Sequence, residues 1–424
     1  MRVKLANFLY EVLGRRRDVS HFNSRHARLG HSGCDYRLMP SVTILQRLLA
    51  KLTAWILTLD VGSNRIIGAA DIDQRSIFIN GNLARVLLAS YKLTGNAAHL
   101  NEGLRWCDSF VDMQHTAVTH DWSEQCGWWD TGYDELYIAD TGTAVTTLAV
   151  CHDLKPKATY FSALKLFEAF VRKGIHETPT CYPLLPNKTS CSYCEVGCDK
   201  TASGYIAADG GLGDGYYKGR VNTHPYTIAT ALSGGVFYAE MHALANGTVP
   251  RYLGTAQNAV DWLLHKIRSN GTIPYIIDPP TSEPHEFQSI SYSTEAFIDL
   301  HLRASPEISR PRLKLLNATV QYILRSQANG TSGALLPQGT QGEIQRSSRA
   351  ASLLQLWLTA VDPTDATVAA ALDKYLVKWL GSEAGFKAEG LNNYALSTGF
   401  VGLVLADMIA PSEWVTFVRW RPSV

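Results

Sequence analysis

The chain of 424 residues is 46% apolar and 18% charged, with 39 Lys and Arg against 38 Asp and Glu. Its formal net charge of +1 gives no electrostatic case for nucleic acid or an anionic membrane as partner. No run reaches 18 apolar residues without a charge, so no membrane-spanning helix is expected, while the apolar share is ample for one large core.

Residues 1–38 carry Lys or Arg eight times against three acids and show no apolar period. They read as a disordered segment or a gene-model extension, and residues 39–424 as a single domain. Residues 42–59, VTILQRLLAKLTAWILTL, have two readings. One is an amphipathic helix. The other starts the protein at Met39 and makes 39–69 a signal peptide ending at IIGAA. The two exclude each other in the mature protein.

From there two helix types alternate. Segments opening near Asn80, Tyr137, Asn222, Ser289, Ile344 and Tyr394 begin with polar or small residues and then run apolar, rich in Gly, Ala, Ser and Thr. Between them lie segments 99–113, 160–174, 251–267, 312–326 and 366–380, each with a narrower apolar stripe. In the first of these, Leu104, Phe110 and Val111 fall on one side, with Asn101, Glu102, Arg105 and Asp108 mostly on the other. Alternation at spacings of roughly 50 to 70 residues indicates a repeat architecture. Small residues allow close packing around most of a helix, so the first set forms an inner ring of six. The second set, with 42–59, forms an outer ring. The expected fold is an all-α (α/α)6 toroid. An open solenoid needs polar caps at both ends, whereas the last inner segment, 394–409, is apolar nearly to the end of the chain and suits closure against the first.

Two stretches interrupt the pattern. Residues 175–221 hold CYPLLPNKTSCSYCEVGC and the Gly-rich ADGGLGDGYYKG, an elaborated loop of a length that usually shapes a site. Residues 271–288 include IPYIIDPPTSEPHEF and suggest a short strand and turn. The Gly-rich segment lacks the Lys-Ser/Thr ending of a phosphate loop. Asp209 and Asp214 could hold Ca²⁺ with nearby carbonyls, but without EF-hand spacing. No nucleophile elbow, His-Glu-x-x-His or dinucleotide fingerprint is present, and no cofactor is expected.

The layout over roughly residues 42–411 resembles the six-hairpin glycosidase-like toroids. Within GWWDTGYDELYIADTGTA, the run Asp134-Glu135-Leu136-Tyr137-Ile138 is similar to the Asp-Asp/Thr-Leu-Phe/Tyr-Met segment of unsaturated uronyl hydrolases, glycoside hydrolase families 88 and 105. The Trp-x-Arg-Gly-x-x-Trp segment that usually accompanies it is missing. The resemblance implies that Asp134 is a catalytic acid at the mouth end of an inner helix.

In such a ring, polar residues at the inner-helix ends are either caps or functional groups. Asp134 could equally be an N-cap. Asp140, one turn into the same helix, is a candidate catalytic partner, because two carboxylates in different environments suit acid and base roles; the alternative is a salt bridge to an inner-helix Arg. His224 and Tyr226 open the third inner segment with Asn222, and Tyr292 and Glu295 lie near the start of the fourth; His224, Tyr226, Tyr292 and Glu295 are candidate substrate-binding residues, and Glu295 could be the second carboxylate. Arg346 and Arg349 start the fifth and could clamp a carboxylate, or pair with Asp140 or Glu295. Asn393 lies at the start of the sixth. Trp128 and Trp129 are candidate sugar platforms.

Cys181, Cys191, Cys194 and Cys198 crowd one polar stretch. In an oxidising compartment they make two disulfides, with three pairings open; a zinc site is the alternative. Cys107 and Cys151 lie on helices and read as buried thiols. Five asparagines, Asn187, Asn246, Asn270, Asn317 and Asn329, sit in N-x-S/T sequons and are candidate glycosylation sites. Asn187 falls inside the cysteine-rich stretch itself. Sequons and cysteines together suggest a secreted or secretory-pathway glycoprotein. The first functional reading is a carbohydrate-active enzyme, a glycoside hydrolase acting on a glycan or small-molecule substrate through a carboxylate acid. The same scaffold also hosts lyases, epimerases and natural-product cyclases or pericyclases. A non-catalytic glycan binder is the third reading. Oligomeric state is not readable.

Overall fold

The structure, a computed structural model, describes residues 42–59, 77–114, 136–173, 206–217, 220–225, 227–235, 240, 250–275, 286–329, 335, 348–380 and 395–418, all within one compact unit, Leu38–Val424.

Six helices form an inner ring: α2 (Ile77–Thr94), α4 (Ile138–Leu154), α6 (Thr227–Ala229, running on as a π-turn Thr230–Gly235), α8 (Glu286–Arg303), α11 (Ala350–Leu356, widening into Trp357–Val361) and α13 (Ala395–Ile409). Each packs on the next, and α13 packs back on α2, so the ring is closed. The outer layer is α1 (Val42–Ile56), α3 (Ala97–Met113), α5 (Ala158–Lys173), α7 (Pro250–His265), the pair α9 (Pro306–Leu313) and α10 (Asn317–Asn329), and α12 (Ala366–Lys374, continued as Tyr375–Leu380). This is the (α/α)6 toroid. Of the two readings of residues 42–59, the structure has the helix. Leu45, Leu48, Leu49, Leu52 and Ile56 recur at helical spacing and are buried where α1 packs on α13 and α2.

The inner ring is tight because small residues stand at the helix contacts. A Cβ at Gly142 of α4 would lie 2.1 Å from Ser233 Oγ and 2.9 Å from the Leu232 carbonyl oxygen of α6. At Gly402 of α13 it would lie 2.6 Å from a Val86 methyl of α2. Ser233 uses the closeness, donating from Oγ to the Ile138 carbonyl at 2.5 Å. Between outer helices one device occurs twice. Gln114 Nε2 donates to the Ala163 carbonyl and Gln327 Nε2 to the Ala371 carbonyl, both at 2.9 Å.

Cys107 of α3 and Cys151 of α4, expected as separate thiols, are joined in a disulfide with Cα atoms 6.6 Å apart. Both face the same seam between outer and inner layers, and nothing in their separate helical patterns reveals that the two faces meet. Among the described residues this is the one disulfide. The two expected between Cys181 and Cys198, and the Asn187 sequon inside that loop, lie outside the described residues.

A small antiparallel sheet sits beside the helices in the order β1 (Leu136–Tyr137), β2 (Gly213–Tyr217), β3 (Arg220–Pro225). Leu136 pairs with Tyr216, and Gly215 with both Tyr137 and Asn222. Asn222 and His224, expected at the start of an inner helix, therefore lie on β3, and the helix begins at Thr227. The Gly-rich stretch supplies β2. The turn before it docks on α7: Asp209 accepts from Trp262 Nε1 at 3.0 Å, and Gly210, at φ +98°, has Asn258 backbone where a side chain would go. Among the described residues of 271–288 there is no strand.

Candidate active site at the mouth of the barrel

All inner helices run in one direction, so their N-terminal ends form one rim of the barrel. What lies along the axis below that rim decides where a substrate can sit. Phe78 in the first turn of α2, Tyr292 of α8 and Phe400 of α13 touch pairwise, with ring centroids 5.9, 5.7 and 5.6 Å apart. Helices α2 and α8 stand opposite one another in the ring, so these three rings close the bore. Edge-on and tilted contacts of this kind add to the area they bury.

Below the rings lies a layer of buried charge. Glu295 receives Arg349 Nε at 2.7 Å and Arg85 Nη2 at 2.9 Å. Arg349 Nη1 also donates to Asp407 at 2.7 Å. The turn after α13 completes the layer. Thr416 donates its backbone N–H and its hydroxyl to Asp407 at 3.1 and 2.8 Å, and its carbonyl accepts from Arg85 at 3.3 Å. The Phe417 ring lies under both guanidiniums, at 5.1 and 5.7 Å, and its carbonyl accepts from Lys92 at 2.9 Å. To bring Thr416 and Phe417 there the chain holds buried Trp414 at φ +45°, a left-handed conformation costly for a bulky residue. Burial opposes ionisation of Glu295, but Arg349 and Arg85 outweigh it and hold the carboxyl below its ordinary pKa.

A second charged group lies deeper. Arg303 donates to Glu240 at 2.8 Å and stands 3.3 Å from Asp299. Here two carboxylates share one guanidinium, and burial pushes both Asp299 and Glu240 up. A cavity of about 10 Å³ beside them, lined by Gly235, Ala256, Val260 and Leu300, has room for a water at most and none for a sugar ring. Among the described residues the axis is thus filled from Phe78, Tyr292 and Phe400 downward.

The sheet stands at the N-terminal end, since β1 leads directly into α4 and β3 leads toward α6. Asp140, half-buried in the first turn of α4, lies on the flank turned to α2, within roughly 60° of Thr143 by helical geometry. Thr143 meets α2 at Gly81, whereas Gly142 on the other flank meets α6.

The expected site residues thus separate. Tyr292 is part of the floor. Glu295 and Arg349, expected to face substrate, are fully engaged with each other below it, so the pairing alternative for Arg349 is the one realised. His224 is on β3. Asp134, Trp128, Trp129, Tyr226, Arg346 and Asn393 lie outside the described residues, as do Cys181, Cys191, Cys194 and Cys198. Of the candidate glycosylation sites, Asn187 and Asn246 also lie outside them, Asn270 follows α7, and Asn317 and Asn329 are the first and last residues of α10. Arg85, Asp407 and the C-terminal turn were not anticipated. Arg85 and Asp407 did leave a signal, since each is the lone charge within the apolar part of an inner segment, a position that requires a buried partner.

No protein-family model matches the chain, and no curated protein sequence matches it. Solved structures share its fold. A possible member of glycoside hydrolase family 105 from Salmonella enterica superimposes with a TM-score of 0.59 at 13% identity, over 92% of this chain and 98% of that one. A family 76 α-1,6-mannanase from Salegentibacter gives 0.56 at 11% identity, over 87% and 99%. An inactive variant of that mannanase, with two consecutive aspartates replaced, is known in complex with α-1,6-mannotriose. A polysaccharide lyase gives 0.53 at 10% identity, over 88% and 99%. At these identities the likeness establishes the fold.

Proposed function

We propose that the protein is a carbohydrate-active enzyme, a glycoside hydrolase working at the N-terminal mouth of the barrel. The observation that carries this reading is the blocked axis: an aromatic floor of Phe78, Tyr292 and Phe400 over a buried charged layer, which leaves the N-terminal end of the barrel for a substrate. That end is bordered by the β1–α4 entry, which the Asp134-Glu135 pair immediately precedes in sequence. The mannanase of this fold whose inactive form has two consecutive aspartates replaced supports a role for adjacent carboxyls in this chain. In this reading Asp134 protonates the glycosidic oxygen as the bond to the sugar breaks, and water completes hydrolysis after losing a proton to a second carboxylate. Asp140 is the candidate in this chain for that partner. Tyr292 floors the site, and His224, Tyr226, Arg346, Asn393, Trp128 and Trp129 bind substrate. The disulfide between Cys107 and Cys151 supports placing the enzyme in an oxidising, secretory compartment.

A second reading draws on the floor itself. Three packed aromatic rings suit an apolar natural-product substrate, which a cyclase or pericyclase on this scaffold would take.

One assay separates them. Folded protein and Asp134→Asn are incubated with unsaturated uronyl glycosides, α-1,6-mannan oligosaccharides and intact polyuronates. Reducing ends and the ultraviolet absorbance of the uronyl double bond are followed. Hydrolysis of an unsaturated uronyl glycoside consumes that absorbance; a lyase creates it. Loss of roughly 10²–10⁴-fold in rate is expected for Asp134→Asn if it is the acid. Unchanged turnover removes Asp134 from the mechanism, and inactivity of the parent on every sugar favours the second reading.

A further inference from the structure

We propose that the outer wall built by α7 and α10 is a glycosylated sector, carrying N-linked glycans on Asn270 and Asn317. Four of the five sequons, those at Asn246, Asn270, Asn317 and Asn329, fall within residues 246–329, the stretch that contributes α7 to α10. The fifth, at Asn187, stands apart from them in the cysteine-rich loop. None lies within α1, α3, α5 or α12.

The local geometry singles out two of them. Asn270 is exposed in the turn after α7. Its Oδ1 accepts from the Thr272 backbone N–H at 3.0 Å and from the Thr272 hydroxyl at 2.8 Å. The hydroxyl that defines the sequon is therefore already aligned on the acceptor amide. The residue between them must be glycine: Gly271 has φ +95°, and a Cβ there would lie 2.1 Å from the Ala318 carbonyl oxygen of α10. Arg325 Nη2 holds the same turn through the Asn270 carbonyl at 3.1 Å. Ala318 directly follows Asn317, which is itself exposed, so the two acceptors stand on one patch. Thr272 and Thr319, the third residues of the two sequons, are both buried, so transfer to either asparagine must precede the packing of α10 against the turn after α7.

An independent feature points to the same compartment. The buried disulfide between Cys107 and Cys151 belongs to an oxidising environment, where such bonds form and persist. The co-substrate is an oligosaccharide linked through pyrophosphate to a lipid. Asn Nδ2 bonds to the first sugar carbon and gives up a proton, and the bond from that carbon to the pyrophosphate oxygen breaks, the pyrophosphate leaving with the electron pair.

The test is peptide mapping of the full chain isolated from its native cells, with and without N-glycosidase in ¹⁸O-water. Both the Asn270 and Asn317 peptides are expected to carry a glycan and to appear as ¹⁸O-labelled aspartate after treatment. A bare peptide at either position overturns the sector. Expression through a secretory pathway supplies the variants. Asn270→Asp keeps the oxygen that Thr272 bonds while ending the sequon, and Asn317→Gln changes only an exposed side chain. Each should lose the mass of one glycan with an unchanged melting temperature. A mass unmoved by either substitution overturns the proposal, as does alkylation of Cys107 and Cys151 in the unreduced native protein.

Discussion

Arg349 and Glu295 meet at 2.7 Å in a place where neither side chain reaches solvent. Two inner helices, α8 and α11, are joined by that contact, and Arg85 brings in α2 from across the barrel. Removing the carboxylate takes from buried Arg85 its ion-pair partner and leaves Arg349 with Asp407 alone, and breaking a buried pair in this way costs about 3–5 kcal/mol. Glu295→Gln should therefore lower the unfolding free energy at neutral pH by an amount of that order, read as a lower urea midpoint. The sign with pH follows from the lowered pKa of Glu295. Its contribution is present above the ordinary glutamate value and is lost as pH falls through the lower folded value. The variant should show a flatter acid limb than the parent.

Asp299 behaves in the opposite sense. Burial raises its pKa, and the single guanidinium of Arg303 is already bonded to Glu240. A carboxyl held protonated in the fold contributes stability fully below the ordinary aspartate value, and loses it as pH rises through the folded value. Asp299→Asn imitates the protonated form. It should unfold at no lower urea concentration than the parent at neutral pH and lose the parent's decline between acid and neutral pH. Glu240→Gln, which weakens the 2.8 Å bond to Arg303, should be destabilising under the same conditions.

Gly142→Ala tests the inner-ring seam. The added methyl would meet both Ser233 Oγ and the Leu232 carbonyl. The backbone cannot yield as a flexible side chain would, so the expected cost is roughly 1–3 kcal/mol, read as a lower melting temperature.

Replacing Cys107 and Cys151 together by Ala opens a link between residues separated by 44 positions. The chain-entropy account puts the loss at about 4 kcal/mol. The change should appear as a lower denaturant midpoint, and reducing agent should shift the parent toward the variant while leaving the variant itself unmoved.

The ring was legible because its two helix types differ in composition for a physical reason. Inner helices are packed on almost every side, so Gly402 and Gly142 must be small, whereas α1 needs only the stripe from Leu45 to Ile56. The site was less legible. Glu295 and Arg349 lie 54 positions apart in sequence, and periodicity places each on a helix without saying what stands across the axis. Both read as rim residues when they belong to the layer beneath. Polar residues opening the third inner segment suggested a helix start, yet Gly213 and Gly215 commit that region to a hairpin, and His224 goes with it. The disulfide escaped for a related reason: pairing α3 with α4 across layers is a tertiary fact, and each cysteine alone looks like an ordinary small apolar residue.

The turn held by Thr416 and Phe417 has a consequence for traffic. With Arg85, Arg349 and Lys92 fastened to that turn and three rings above it, the described residues block the barrel axis at its base. For the proposed hydrolase this means that product leaves by the way the substrate came. A bound product then stands in the path of the next substrate, and product inhibition should be competitive, with an inhibition constant that follows product departure from the rim and not passage through the base.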